Sequence, residues 1–161
     1  MTEAKATSPG EPGARGEYRL RPADFADLDQ LILFCWEALR AAVFRHGFGQ
    51  HEGAIRLALH EAFCNAYRHG NRQDRQAPIF FAWHFAGPEL TCRLRDSGAG
   101  FDCHLLPDPT SPTNCGKDHG RGLFIIRHLA QRVSWQEGGR QVTMVFNREP
   151  QQPGKAGSGQ D

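Results

Sequence analysis

The sequence predicts an α+β fold: a two-layer α/β sandwich in which helices cover one face of a mixed, mostly antiparallel sheet. Three observations lead there. Two stretches, 24–44 and 51–69, keep apolar residues at helical spacing and are parted only by a break at Gly47 and Gly49. Two strand-like segments follow, joined at Gly87-Pro88 as in a hairpin. A helical stretch from about Gly122 then leads into a second strand pair joined at Gly138-Gly139. The order β-α-α-β-β-loop-α-β-β layers helices on a sheet.

The elements follow from local pattern. Residues 1–16, rich in Gly, Pro, Ala, Glu and Lys without periodicity, are expected to be a disordered arm. E-Y-R-L-R at 17–21 alternates and reads as a short edge strand ended by Pro22. Asp24 is the expected N-cap of a helix reaching about Phe44, with Phe25, Leu28, Leu31, Ile32, Cys35, Leu39, Ala42 and Val43 on its inner side. The next helix runs from about His51 to His69, buries Ile55, Leu59, Ala62, Phe63 and Ala66, and stops at Gly70. I-F-F-A-W-H-F at 79–85 is a strand by aromatic content, and L-T-C-R-L-R at 90–95 alternates. Residues 103–119, carrying Pro107, Pro109 and Pro112, form a long loop. The third helix lines its inner side with Leu123, Ile126, Leu129 and Ala130, and strands at 133–136 and 141–147 close the domain. Residues 17–148 are thus one domain, and 149–161 a disordered tail.

The totals narrow the function. A chain of 161 residues suffices for one sizeable core. With 19 basic and 18 acidic side chains, nothing electrostatic recommends nucleic acid or an anionic membrane as partner. No apolar run approaches the ~20 residues that cross a bilayer, and the first 16 residues lack a signal peptide's apolar core. A cytoplasmic location is the default expectation. The five cysteines include no C-x-x-C pair. Cys35, Cys64 and Cys92 fall in helix or strand patterns and read as small buried hydrophobes. Cys103, His104, Cys115 and His119 match no common zinc spacing.

Three stretches have the residue types that chemistry needs. Glu61 and Asn65 lie one helical turn apart on the border of an apolar stripe. A carboxylate and a carboxamide so placed offer a base and a neutral oxygen ligand for Mg²⁺; they also describe a solvated helix edge. Asp96-Ser97-Gly98-Ala99-Gly100 ends a strand. The aspartate can accept from the exocyclic amine of a base while the glycines let a flat ring approach, or the segment is a plain turn. G-K-D-H-G-R-G-L at 116–123 places glycines before a helix, where unpaired N–H groups face an anion and Lys117 and Arg121 add charge. Neither G-x-x-x-x-G-K-[ST] nor G-x-G-x-x-G is present.

Taken in order, E-x-x-x-N on a helix, D-x-G-x-G after a strand and G-x-G-L opening a helix resemble the Bergerat-fold ATPases, among them gyrase B subunits, MutL, the ninety-kilodalton heat-shock chaperone and histidine kinases. The match is closest to bacterial anti-sigma factor serine/threonine kinases of the RsbW and SpoIIAB type. It rests on E-A-F-C-N-A-Y-R-H-G at 61–70, D-S-G-A-G-F-D at 96–102 and H-G-R-G-L-F-I-I-R-H-L at 119–129. By order of elements it covers about residues 17–148. The resemblance implies ATP and Mg²⁺ as cofactors. It implies Glu61 as catalytic base, Asn65 as the Mg²⁺ ligand and Asp96 as the adenine-reading carboxylate. Gly98 and Gly100 would floor the adenine pocket. Lys117, Gly120, Arg121, Gly122 and Leu123 would hold the phosphate end, under a lid at 103–119. His69 belongs to the motif and reads as structural. The implied partners are a STAS-domain anti-sigma factor antagonist, phosphorylated on serine, a sigma factor, and a second copy meeting the first near strand 17–21. A non-catalytic module that uses nucleotide to set its affinity for a regulatory partner would display the same motifs. A histidine kinase catalytic domain would need a preceding pair of phosphoacceptor helices, and residues 1–50 offer only one long helix.

Overall fold

The computed structural model describes residues 2–6, 13–100 and 121–148. Among the described residues, six strands build one sheet: β1 (Glu3–Ala6), β2 (Arg15–Leu20), β3 (Ile79–Ala86), β4 (Glu89–Arg95), β5 (Arg132–Gln136) and β6 (Gln141–Asn147). Their order is β1-β2-β3-β4-β6-β5. Every pairing described is antiparallel. The α-helices among the described residues, α1 (Leu28–Arg45), α2 (Glu52–Asn65) and α3 (Arg121–Leu129), complete the two-layer α+β architecture that the sequence predicts.

Strand alternation decides which face the helices cover. In β3, Ile79, Phe81, Trp83 and Phe85 are buried while His84 is exposed. Across the register Phe81 stands opposite Leu94, Trp83 opposite Cys92 and Phe85 opposite Leu90. Cys92 and Leu90 in turn face Met144 and Phe146 of β6. These side chains form one apolar sheet face. Against it pack Leu31, Cys35, Leu39 and Val43 of α1 and Ile55, Leu59, Ala62 and Phe63 of α2, all buried. The Phe63 and Phe81 rings meet edge to face at 5.5 Å. Each such large side chain contributes roughly 1.5–3 kcal/mol by leaving water, which anchors α2 to the sheet. The opposite face presents Glu17, Arg19, Phe80, Arg93 and Arg95.

Four expectations are corrected. Residues 17–20 of the expected edge strand lie within β2, Arg21 falls outside it, and β2 is internal, paired to β1 and β3. The arm expected to be disordered over 1–16 contributes β1 and the start of β2. E-A-K-A carries no β-branched or aromatic residue, so only its backbone pairing with 16–19 makes it a strand. The cap of α1 is Asp27, whose carboxylate accepts from Gln30 N at 2.8 Å. Asp24 instead closes a 3₁₀ turn, Pro22–Asp24, and pairs with Arg21 at 2.9 Å. Finally, α2 ends at Asn65 and continues as a single π turn, Ala66–Gly70, with Asn71 N donating to Ala66 O at 2.8 Å. The loop at 103–119 and the tail at 149–161 lie outside the described residues.

Candidate functional site

The π turn is what brings the first two motifs together. One extra residue per turn widens the helix end and delivers Gly70 against the strand end that carries Asp96. A Cβ on Gly70 would fall on the Asp96 carboxyl group, and a Cβ on Gly98 on the carbonyl oxygen of Gly70. The two turns therefore touch backbone to backbone, and glycine is required at both contacts.

Asp96 is only 5 % exposed. Its N–H donates to Arg140 O at 3.0 Å, and its Oδ1 accepts from Gly98 N at 2.8 Å. Burial pushes the carboxyl group above the usual carboxylate range, opposed by the Gly98 N–H and the charges of Arg140 and Arg95. Asn71, also 5 % exposed, fixes the turn from the other side. Its Oδ1 accepts from Ser97 N at 2.8 Å, while its Nδ2 donates to Ala77 O at 3.0 Å and to Pro78 O at 3.3 Å. Asn71 reads in the sequence as one residue of a polar turn. Its only signal there is its place directly after the glycine that ends the helix.

The third motif arrives from above α2. Gly122, second residue of α3, stands over the polar line of the helix: a Cβ there would lie 2.7 Å from Glu61 Oε2 and 3.3 and 3.4 Å from the Asn65 amide. The first turn of α3 thus lies against both candidate residues at Gly122. The Glu61 side chain is 24 % exposed. Asn65 Nδ2 is buried without a hydrogen-bond partner among the described residues. A carboxamide held this way turns either its oxygen or its nitrogen inward, and the oxygen suits a hard cation. Among the described residues, no group of three or more His, Cys, Asp or Glu side chains is placed to hold a metal. Cys103, His104, Cys115 and His119 lie outside them.

Asn65, Asp96 and Leu123 line one cleft with Ile126, Trp135 and Arg140. Its volume is about 20 Å³, room for about one water. Trp135 and Arg140 are additions to the sequence reading, which took the 138–139 turn only as a strand connection. Gly100 packs away from Asp96, against the Gly138 carbonyl and Arg140, at φ +82°. It supports the cleft wall through Arg140. Arg121 is exposed at the start of α3, and His69 is exposed in the π turn. Lys117 and Gly120 lie outside the described residues. No described helix is long and apolar enough to cross a membrane.

The arrangement sets the Asn65 carboxamide and the buried Asp96 carboxyl group in one cleft, with the Glu61 carboxylate beside Asn65 against the start of α3. The family described as histidine kinase-like ATPase domain matches residues 22–146. No curated protein matches the chain significantly.

Proposed function

The chain belongs to the family of histidine kinase-like ATPase domains, and from that premise we propose that it is an ATP- and Mg²⁺-dependent serine/threonine protein kinase of the partner-switching, anti-sigma kind. The observation that carries the reading is the meeting of Glu61, Asn65 and the first turn of α3 at Gly122. Phosphoryl transfer asks the protein mainly for positioning and charge neutralisation. Glu61 accepts the hydroxyl proton while the new oxygen–phosphorus bond forms and the bond to ADP breaks. The N–H groups of α3 and Arg121 hold phosphate oxygens. Asp96 reads the adenine amine. The unpartnered Asn65 amide and the Glu61 carboxylate are the hard donors that fit Mg²⁺, which supplies charge neutralisation at the phosphates.

In this reading the phosphate acceptor is a STAS-domain antagonist serine, the sequestered partner is a sigma factor, and the protein works in the cytoplasm as a homodimer. Support for the dimer comes from the open sheet face. It forms a hollow of about 450 Å³ lined by Glu17, Arg19, Phe80, Arg93 and Arg95, with charges of both signs for an isologous contact. In this reading the contact lies on the face of β2.

The narrow cleft favours a second reading, a non-catalytic module whose nucleotide, or its loss, sets affinity for the regulatory partner. Phosphate transfer from Mg²⁺-ATP to a STAS-domain protein decides between them. Glu61→Ala is expected to abolish transfer while sparing ATP binding, and Asn65→Ala to weaken Mg²⁺-ATP. A wild-type protein that binds ATP and transfers nothing establishes the second reading.

A further inference from the structure

We propose that the outer face of α1 is a self-complementary surface on which a second copy of this chain packs, α1 against α1 and antiparallel. Leu33, Glu37, Arg40 and Phe44 follow one another at spacings of four, three and four residues. That spacing keeps side chains in line along one side of a helix, as in helices that pack on each other. The opposite side, with Leu31, Cys35, Leu39 and Val43, is buried in the core. Leu33 and Phe44 are each 48 % exposed, and the side chains of Glu37 and Arg40 are more than half exposed.

This face is unfinished in the single chain. A leucine and a phenylalanine half in water gain by being covered. The charges between them are loosely held. Glu37 Oε2 lies 3.9 Å from Arg40 Nη1, and Arg40 Nε lies 3.8 Å from Glu52 Oε1, both too long for hydrogen bonds. A hollow of about 330 Å³ opens beside Ala41, bounded by Glu37, Arg40 and Phe44.

The symmetry of the pattern selects the occupant. The midpoint between Glu37 and Arg40 is also the midpoint between Leu33 and Phe44. Turned end for end about that point, the face meets itself. Glu37 stands opposite Arg40 of the second copy and Leu33 opposite its Phe44, and the two-fold repeats both contacts. Each leucine then enters the hollow beside the other copy's Phe44. A parallel arrangement would instead set Glu37 against Glu37 and Arg40 against Arg40, which repel. The Arg40–Glu52 and Asp29–His60 contacts run α2 antiparallel beside α1. The exposed Leu57 of α2 therefore stands level with Leu33 and widens the apolar ends of the patch. The face belongs to the helix layer, whereas the hollow at β2 lies on the outer side of the sheet, so the two contacts are independent. Neither Glu61 nor Asn65 takes part.

The test is sedimentation of the full chain at concentrations up to about 500 µM, because a contact along one helix pair falls short of the ~1,200 Å² of a standard interface. The wild-type mass is expected to rise reversibly with concentration. Glu37→Arg leaves the face positive and Arg40→Glu leaves it negative. Each alone turns both ion pairs into repulsions and should weaken the association by about tenfold or more. Mixed in equal amounts, the two variants pair opposite charges again and should recover the wild-type mass. Where the sheet face also joins copies, each variant falls back to that dimer and the mixture rises above it. Both changes are at exposed sites, so the melting temperature should hold. If Arg40→Glu does not fold, Leu33→Glu mixed with Phe44→Lys puts the same question to the outer pairs, and the mixture should associate more tightly than either variant alone. Wild-type association in either single variant, a mixture no heavier than its parts, or a wild-type mass that does not rise overturns the α1 contact.

Discussion

Gly122→Ala separates the site from the fold more sharply than removal of any charged group. The added methyl would stand 2.7 Å from Glu61 Oε2, and ordinary contact begins at 3.4 Å. One of the two must retreat by about 0.7 Å, and the end of a glutamate side chain is far softer than the first turn of a helix. The Asn65 amide, at 3.3 and 3.4 Å, is just accommodated. For the fold the change is neutral or favourable, because alanine exceeds glycine in a helix by up to about 1 kcal/mol. For the chemistry it is costly. A base displaced by most of an ångström loses its alignment with the attacking hydroxyl, and shifts of that size cost on the order of 10²-fold. The variant should melt at or above the wild-type temperature, bind ATP normally, and release phosphate about 10–100-fold more slowly, or about 1.4–2.7 kcal/mol in barrier. A wild-type rate would show that the α3 contact does not set the position of Glu61. A fall in melting temperature would show that the helix, not the carboxylate, gives way.

Asp96→Asn tests the far end of the cleft. Burial raises the Asp96 carboxyl, so the folded chain holds this proton more tightly than the unfolded one. The ligand-free protein therefore loses stability as pH rises from the usual aspartate value, 3.8, through the raised one. Asparagine removes that dependence and should raise the melting temperature at neutral pH while weakening ATP binding by about 10–100-fold, read by equilibrium titration. Asn71→Ala leaves the Ser97 N–H and the Ala77 and Pro78 carbonyls without their partner. A loss of about 2–3 kcal/mol in urea unfolding is expected, with nucleotide affinity falling too because the Asp96 turn loosens. Gln73 holds φ at +63° and is exposed. Gln73→Gly relieves that strain and should gain about 0.5–1 kcal/mol in the same assay.

The architecture is legible in the sequence wherever periodicity is strong. The stripe Ile55, Leu59, Ala62, Phe63 and Ala66 is buried as predicted. The strand at 141–147 has its predicted limits, since its β-branched and apolar residues and the Gly138-Gly139 turn both mark it. What escapes is of another kind. A strand such as Glu3–Ala6 is specified by its partner's backbone, not by its own side chains. Asp24 and Asp27 are equivalent as local caps, and the 3₁₀ turn before α1 decides between them. The π turn has no composition of its own. The site shows the same division. Glu61, Asn65 and Asp96 stand out because each lies in a local motif, whereas Trp135 and Arg140 line the cleft, and Asn71 fixes the Ser97 turn, through contacts that only the folded chain defines.

The narrow cleft and the family's use of ATP are reconciled by the unequal anchoring of the cleft walls. One wall is α2 and the sheet, locked together by Phe63, Phe81, Leu59 and Leu94 in the main core. The other is α3, nine residues long, of which only Ile126 is fully buried. A site for a small ligand occupies roughly 300–1,000 Å³, against about 20 Å³ here. Admitting a nucleotide must therefore move the weaker wall, drawing Leu123 and Ile126 back from the cleft they line with Trp135. Baring a side chain like Ile126 costs roughly 1.5–3 kcal/mol. By population-shift arithmetic that lowers the apparent affinity by about 10–100-fold relative to a preformed pocket. The same movement changes the contact of Gly122 with Glu61. On the proposed reading of Glu61 as the base, nucleotide entry then bears on its placement through that one contact.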